Sequence, residues 1–208
     1  MVSARIPGIP LYERLGDATD QNNLIELERL TNPRVQAEKG LRSFLRKEDF
    51  FLKGVSSYVR AGFSYLAESR FGYGAFPVLY TASDEQTALA EKKFHWAKRL
   101  RDHHTPPTAV QDVALLLSLS GDFHDLRGLQ KSFRAVYRPD TYQSSQALGR
   151  ELWKAGSQGI AYTSVRRPDG ECLAVFSPQT ITACARDAIY EFHWDGQNVI
   201  DAFRLDRR

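Results

Sequence analysis

The stretch that decides the fold is Ser69 to His95, SRFGYGAFPVLYTASDEQTALAEKKFH. Gly72 and Gly74 open it as a loop, and Phe76 to Ala82 (FPVLYTA) follows as a short apolar run containing Val, Tyr and Thr. A run of this composition, bounded by turn formers, predicts a buried strand. Ser83, with Gln86 three residues later, has the capping-box spacing, in which each side chain satisfies a backbone N–H at a helix start. Leu89, Trp96 and Leu100 then mark one apolar face of a predicted helix that Pro106 and Pro107 close. Glu91 falls about two turns into that helix and His95 lies four residues on, so both side chains point to one side. Tyr80, near the end of the strand, and Glu91, on the helix after it, are therefore expected at one crevice.

Outward from this block the organisation is mixed. On the N-terminal side, an amphipathic segment over residues 22–30 ends at Thr31-Asn32-Pro33, and a basic, partly helical stretch runs from Val35 to Lys47. Residues 1–50 are thus expected to form a helical elaboration of a core spanning residues 51–208. On the C-terminal side, Val110 to Ser120 predicts a strand closed by Gly121-Asp122. Tyr142 to Ala155 predicts a helix with Leu148, Leu152 and Trp153 on its apolar side and Gly156 at its C-terminal cap. Gly159–Ser164 and Cys172–Phe176 read as a hairpin around Pro168-Asp169-Gly170, and Ile189–Trp194 with Asn198–Phe203 as another around Asp195-Gly196. No internal repeat or low-complexity linker interrupts the chain. The expected class is α+β, a single domain of mixed or antiparallel sheets with packed helices.

Composition agrees. A chain of 208 residues suffices for one sizeable core, and its 42% hydrophobic and 25% charged content is ordinary for a globular protein. No apolar run approaches the roughly 18 residues that span a membrane. Met1 to Pro10 lacks the apolar core of a signal peptide, so the expected location is cytoplasmic. The net charge of +3 is mild, and the basic clusters Lys92-Lys93, Lys98 to Arg101, Arg166-Arg167 and Arg207-Arg208 read as solvated surface. Direct nucleic-acid binding, which needs a concentrated basic face with stacking aromatics, is not expected.

Cys172 and Cys184 sit in or near predicted strands, and buried, inert thiols account for them better than a disulfide or a nucleophile. The histidines, His95, His103, His104, His124 and His193, show no metal-ligand spacing, and no metal is expected.

Three ordered blocks carry a resemblance. Arg70-Phe71 with Gly74, the strand with Leu79-Tyr80 and Ala82, and the helix with Glu91 and Phe94-His95 form the first. Gln146 to Gly149, then Gly159 to Arg166 with Leu173 to Phe176, form the second, and Leu27 to Arg34 (LERLTNPR) the third. Together, over residues 24–178, they resemble the RES-domain family, named for an Arg, a Glu and a Ser. Two departures stand out: Gly72-Tyr73 replaces a polar pair, and Thr163 stands where Pro commonly precedes the Ser.

The resemblance implies a fold like that of ADP-ribosyltransferases and NAD as substrate, cleaved between nicotinamide and ribose, with inorganic phosphate or water as acceptor. It further implies a toxin of a bacterial toxin–antitoxin pair whose partner is an Xre-like helix-turn-helix antitoxin. A homodimer is left open. Protein ADP-ribosyltransferase activity and an inactive binding module are the alternative readings, the latter favoured only by Gly72-Tyr73.

The residue types suit this chemistry. Arg70 can clamp a phosphate bidentately, or it is a surface arginine. Tyr80 can offer a ring to nicotinamide or ribose and a hydroxyl to a phosphate, or it packs in the core. Glu91 can bind the ribose hydroxyls and stabilise the cation that develops beside them, or it is a solvated helix carboxylate paired with His95. Ser164 can donate to a phosphate or to the nicotinamide amide; with no G-x-S-x-G elbow beside it, a nucleophilic serine is not expected. His95 either orients Glu91 or is a satisfied histidine at the helix edge. The resemblance thus assigns Arg70, Tyr80, Glu91 and Ser164 to catalysis, with Phe71 and His95 joining them in binding NAD.

Overall fold

A computed structural model describes residues 1–3, 59, 62–63 and 66–205. The helical layer expected over residues 22–47, and the LERLTNPR block, lie outside these residues. The described chain is α+β. Its strands are β1 (Val2–Ser3), β2 (Leu79–Ala82), β3 (Thr108–Leu119), β4 (His124–Asp125), β5 (Gly159–Thr163), β6 (Glu171–Val175), β7 (Ile181–Trp194) and β8 (Val199–Leu205). The helices are α1 (Glu85–Asp102) and α2 (Gln143–Lys154).

The strands form two four-stranded sheets, ordered β1-β3-β7-β8 and β2-β6-β5-β4. All pairings are antiparallel except β4 with β5. Alternation along the second sheet sends its residues to two faces. Tyr80, Ala82, Cys172, Ala174, Ile160 and Tyr162 face a core shared with Leu148, Leu152 and Trp153 of α2. Leu79, Leu173 and Val175 face a second core with Leu117, Leu119 and Ile181 of the first sheet. Leu89 and Trp96 of α1 pack instead on Tyr190 and Phe192 of the first sheet. α1 therefore bridges the sheets, and its remaining face is turned to the space beside β2.

The expected strand over 76–82 is shortened to Leu79–Ala82, because Pro77 has no N–H for a ladder and Phe76 is instead stacked on Trp153 at 4.8 Å. The cap of α1 moves by one residue. Asp84, not Ser83, is the N-cap, accepting from the Thr87 backbone N–H at 2.9 Å and its hydroxyl at 2.6 Å. Ser83 is drawn to the Glu171 carbonyl of β6 instead. The helix ends before the prolines, in a Schellman arrangement: Thr105 N–H donates to Leu100 O, His104 N–H to Arg101 O, and His104 is left-handed at φ 49°. β7 extends eight residues further toward the N-terminus than its expected start at Ile189, pairing with β3 through irregular register.

One close approach sets the geometry of the site. Gly149 of α2 lies against the Phe71 backbone, so a Cβ there would overlap the Phe71 carbonyl oxygen. One turn earlier, Gln146 Nε2 donates to the Ser69 carbonyl at 3.0 Å. The Ser69–Phe71 segment is thereby seated on α2, in direct backbone contact at Gly149 and held by the Gln146 side chain. Gly149→Ala should destabilise the fold by about 1–3 kcal/mol from overpacking, offset by at most about 1 kcal/mol of helix propensity. A thermal melt checks this, and an unchanged or raised melting temperature would mean that the segment has room to shift.

Candidate functional site

Arg70, Tyr80, Glu91 and His95 line one cavity of about 360 Å³, together with Lys92, Tyr142, Tyr162, Arg166 and Cys172. Ser164 sits behind its wall. Each side chain is set by a traceable local cause.

Arg70 is only 7% exposed. Its Nη1 donates to the carbonyls of Val136 (3.0 Å) and Arg138 (3.1 Å), and its guanidinium lies over the Tyr142 ring at 5.0 Å. The surface-arginine reading is therefore wrong. Tyr80 fastens the segment that carries Arg70: its hydroxyl donates to Ser69 Oγ at 2.9 Å and accepts from Phe71 N–H at 2.8 Å. Burial raises the Tyr80 phenol to about 12, so it stays protonated. Its ring borders the cavity while its hydroxyl is occupied by protein. Phe71 itself is buried in the core, edge-on to Tyr162 at 5.0 Å, and does not line the cavity. The departing pair is also placed: Gly72 makes the tight turn with Ser69, and Tyr73 stands exposed beneath Arg150, away from the cavity.

Glu91 and Ser164 meet directly. Ser164 Oγ donates to Glu91 Oε1 at 2.7 Å and accepts from the backbone N–H groups of Arg166 (3.0 Å) and Arg167 (3.2 Å). Its proton and both lone pairs are thus used, and its backbone N–H donates to Gly170 O across the β5–β6 turn. Ser164 holds the carboxylate, and among the described residues Glu91 Oε2 receives no donor. No hydrogen bond joins His95 to Glu91; the imidazole stands edge-on to Phe94 at 5.4 Å. Desolvation chiefly, with Lys92, Arg166 and Arg70 beyond it, outweighs the pull of Glu91 and lowers the His95 pKa, leaving the ring neutral at pH 7. Thr163, where the resemblance leads to Pro, accepts from Gly128 N–H through its hydroxyl without disturbing the strand.

Ser164→Ala should leave two backbone donors unsatisfied, costing about 1–3 kcal/mol, and release Glu91 from its position. A lower turnover with a nearly unchanged Michaelis constant is the expected kinetic signature. Wild-type turnover in the folded variant would remove Ser164 from the site.

Tyr142, Tyr162, Arg166 and Cys172 line the cavity without having been singled out for it. Tyr162 is fully desolvated, which raises its phenol well above the ordinary range. The Cys172 thiol, 3.9 Å from Glu91 Oε1, is pushed up to about 12 by burial and by that carboxylate, in keeping with an inert sulfur. Arg166 lies two residues beyond Ser164, and Tyr142 directly precedes α2; those positions were the available signals. Among the described residues no cluster of three His, Cys, Asp or Glu could hold a metal ion, and no helix is long and apolar enough to cross a membrane.

The RES domain family matches residues 52–195, and the chain belongs to that family. It is also 27% identical over 211 residues, covering 99% of this chain and 86% of the relative, to a protein of Sinorhizobium fredii (strain NBRC 101917 / NGR234) described as "Uncharacterized protein y4oC".

Proposed function

We propose that this cavity binds NAD and breaks the bond between nicotinamide and ribose, passing ADP-ribose to inorganic phosphate or water. The observation that carries the reading is Glu91: a carboxylate fixed through one oxygen by Ser164, in a cavity that also holds Arg70. When the C–N bond breaks, its electron pair goes to the pyridinium nitrogen and nicotinamide leaves neutral. The ribose carbon acquires oxocarbenium character. A fixed anion beside it stabilises that charge more in the transition state than in the ground state, which accelerates the step. Oε2 is available to a ribose hydroxyl, and the Tyr80 and Tyr142 rings can flank the planar groups of the dinucleotide. An oxygen of phosphate or water then bonds to the ribose carbon from the opposite face. With phosphate the product is a phosphorylated ADP-ribose; with water it is ADP-ribose and a proton.

The family resemblance supports an ADP-ribosyltransferase-like fold and the wider role of toxin in a toxin–antitoxin pair, acting in the cytoplasm by depleting NAD. The fitting partner is an Xre-like helix-turn-helix protein that occludes the cavity. No metal takes part in this scheme.

Purified protein, freed of antitoxin, incubated with NAD with and without inorganic phosphate and followed by phosphorus NMR, tests the acceptor. A phosphorylated ADP-ribose formed only with phosphate supports a phosphorylase, and free ADP-ribose a glycohydrolase. Intact NAD that is consumed only when lysate protein is added would replace both by transfer to a protein.

A further inference from the structure

We infer that Arg166 is a second anion-binding residue of this cavity, acting with Arg70, and that it takes the oxygens of a phosphate group. This deepens the reading of the cavity as a site for a phosphate-bearing substrate but does not depend on bond cleavage.

Charge pairing sets Arg70 and Arg166 apart from the other basic residues around them. Among the described residues, Arg70, Lys92 and Arg166 are the lysine and arginine side chains that line the cavity. Lys92 is neutralised by the fully buried Asp112 carboxylate at 2.8 Å. Neighbouring arginines are paired as well, Arg167 with Asp84 at 3.2 Å and Arg127 with Asp125 and Glu171 at 2.8 Å each. Among the described residues, no carboxylate lies within ion-pair distance of Arg70 or Arg166. An arginine turned into a cavity with no counter-ion is an electrostatic invitation to an anion.

The two arginines are also built alike. Arg70 lies over Tyr142 and Arg166 over Phe94, the latter at 3.4 Å from the ring centroid. Arg70 is tethered to the carbonyls of Val136 and Arg138, and Arg166 Nη2 donates to Pro139 O at 2.8 Å. One backbone segment thus anchors both guanidinium groups. An aromatic face fixes the plane of each, and a carbonyl tether uses only part of its five-donor fork. What remains is a planar, pre-oriented donor set of the kind that binds phosphate bidentately. Both arginines line the same cavity as His95. The phosphate can come from the diphosphate of the dinucleotide or from inorganic phosphate as acceptor.

The test is calorimetric titration of ADP-ribose and, separately, inorganic phosphate into the wild type, Arg166→Gln and Arg150→Gln. Arg150 serves as the charge control because it lies over Tyr73, outside the cavity. Arg166→Gln should weaken at least one anion by about 10- to 100-fold and flatten its salt dependence, while Arg150→Gln stays within about twofold. Loss confined to ADP-ribose identifies the diphosphate as the source; loss confined to phosphate identifies the acceptor. Unchanged affinity for both anions in Arg166→Gln, or no binding of either by the wild type, would overturn the inference. Should the Gln variant fail to fold, Arg166→Lys decides: weaker binding at a wild-type melting temperature supports the planar fork, and unchanged binding overturns it. If anions bind through Arg166 while NAD is never consumed, the anion site stands and the cleavage reading falls.

Discussion

Glu91→Gln should lower nicotinamide release by about 10²- to 10⁴-fold while leaving the fold and the Michaelis constant for NAD close to wild type. The magnitude is that of removing one fixed electrostatic partner of a transition state, extended because a full charge is lost. The amide is nearly isosteric and its oxygen can still accept from Ser164 Oγ, so the geometry now held at 2.7 Å survives. What disappears is the negative charge that the proposed mechanism sets beside the ribose carbon. Steady-state kinetics on the variant, with circular dichroism as the folding control, reads this directly. Turnover within about tenfold of wild type would remove Glu91 from the chemistry and with it the proposed mechanism.

Arg70 should show a different signature, because it braces the fold and, in the proposed reading, also holds the ligand. Arg70→Ala strips Val136 and Arg138 of their shared donor in a site that is 7% exposed, and should cost about 2–5 kcal/mol. That loss alone shifts the melting temperature by several degrees and confounds any activity loss. Arg70→Lys separates the two effects. An ammonium keeps the charge and one carbonyl contact but lacks the planar fork, so the Michaelis constant for NAD or phosphate should rise by at least about tenfold with a smaller change in turnover. Unchanged Michaelis constants for both substrates in a folded Arg70→Lys variant would show that Arg70 braces the Val136–Arg138 segment and nothing more.

Much of α1 and its surroundings was legible because the determinants are local. The spacing of Leu89 and Trp96 gave the face that packs on the first sheet, Leu100 is buried as expected, and the placement of Glu91 and His95 beside Tyr80 followed from helical period. The α2 face of Leu148, Leu152 and Trp153 and the β5–β6 hairpin were legible for the same reason. Local reading erred where two polar residues competed: Asp84 wins the cap because Ser83 is claimed by Glu171, a contact made across 88 residues. The early half of β7 was missed because Thr182, Ala185, Arg186 and Asp187 blur its alternation; it is held by pairing with β3.

In the site, Arg70, Tyr80, Glu91 and Ser164 were picked out by motif, but their bonding was not. Neither the Ser164 hydroxyl, filled by two backbone N–H groups, nor the Tyr80 hydroxyl, spent on Ser69 and Phe71, can be read from spacing. Arg166 read as part of a solvated basic pair because the features that distinguish it from Arg167 are tertiary: Phe94 beneath it, Pro139 beside it and, among the described residues, no carboxylate within ion-pair distance.

The central claim, that this cavity severs the nicotinamide–ribose bond of NAD, is tested most directly by a proton NMR time course of NAD with purified protein and no other macromolecule present. Free nicotinamide resonances should grow as those of the nicotinamide ring of NAD decline, and should grow about 10²- to 10⁴-fold more slowly with Glu91→Gln. Intact NAD after prolonged incubation with folded wild-type protein and phosphate would contradict it.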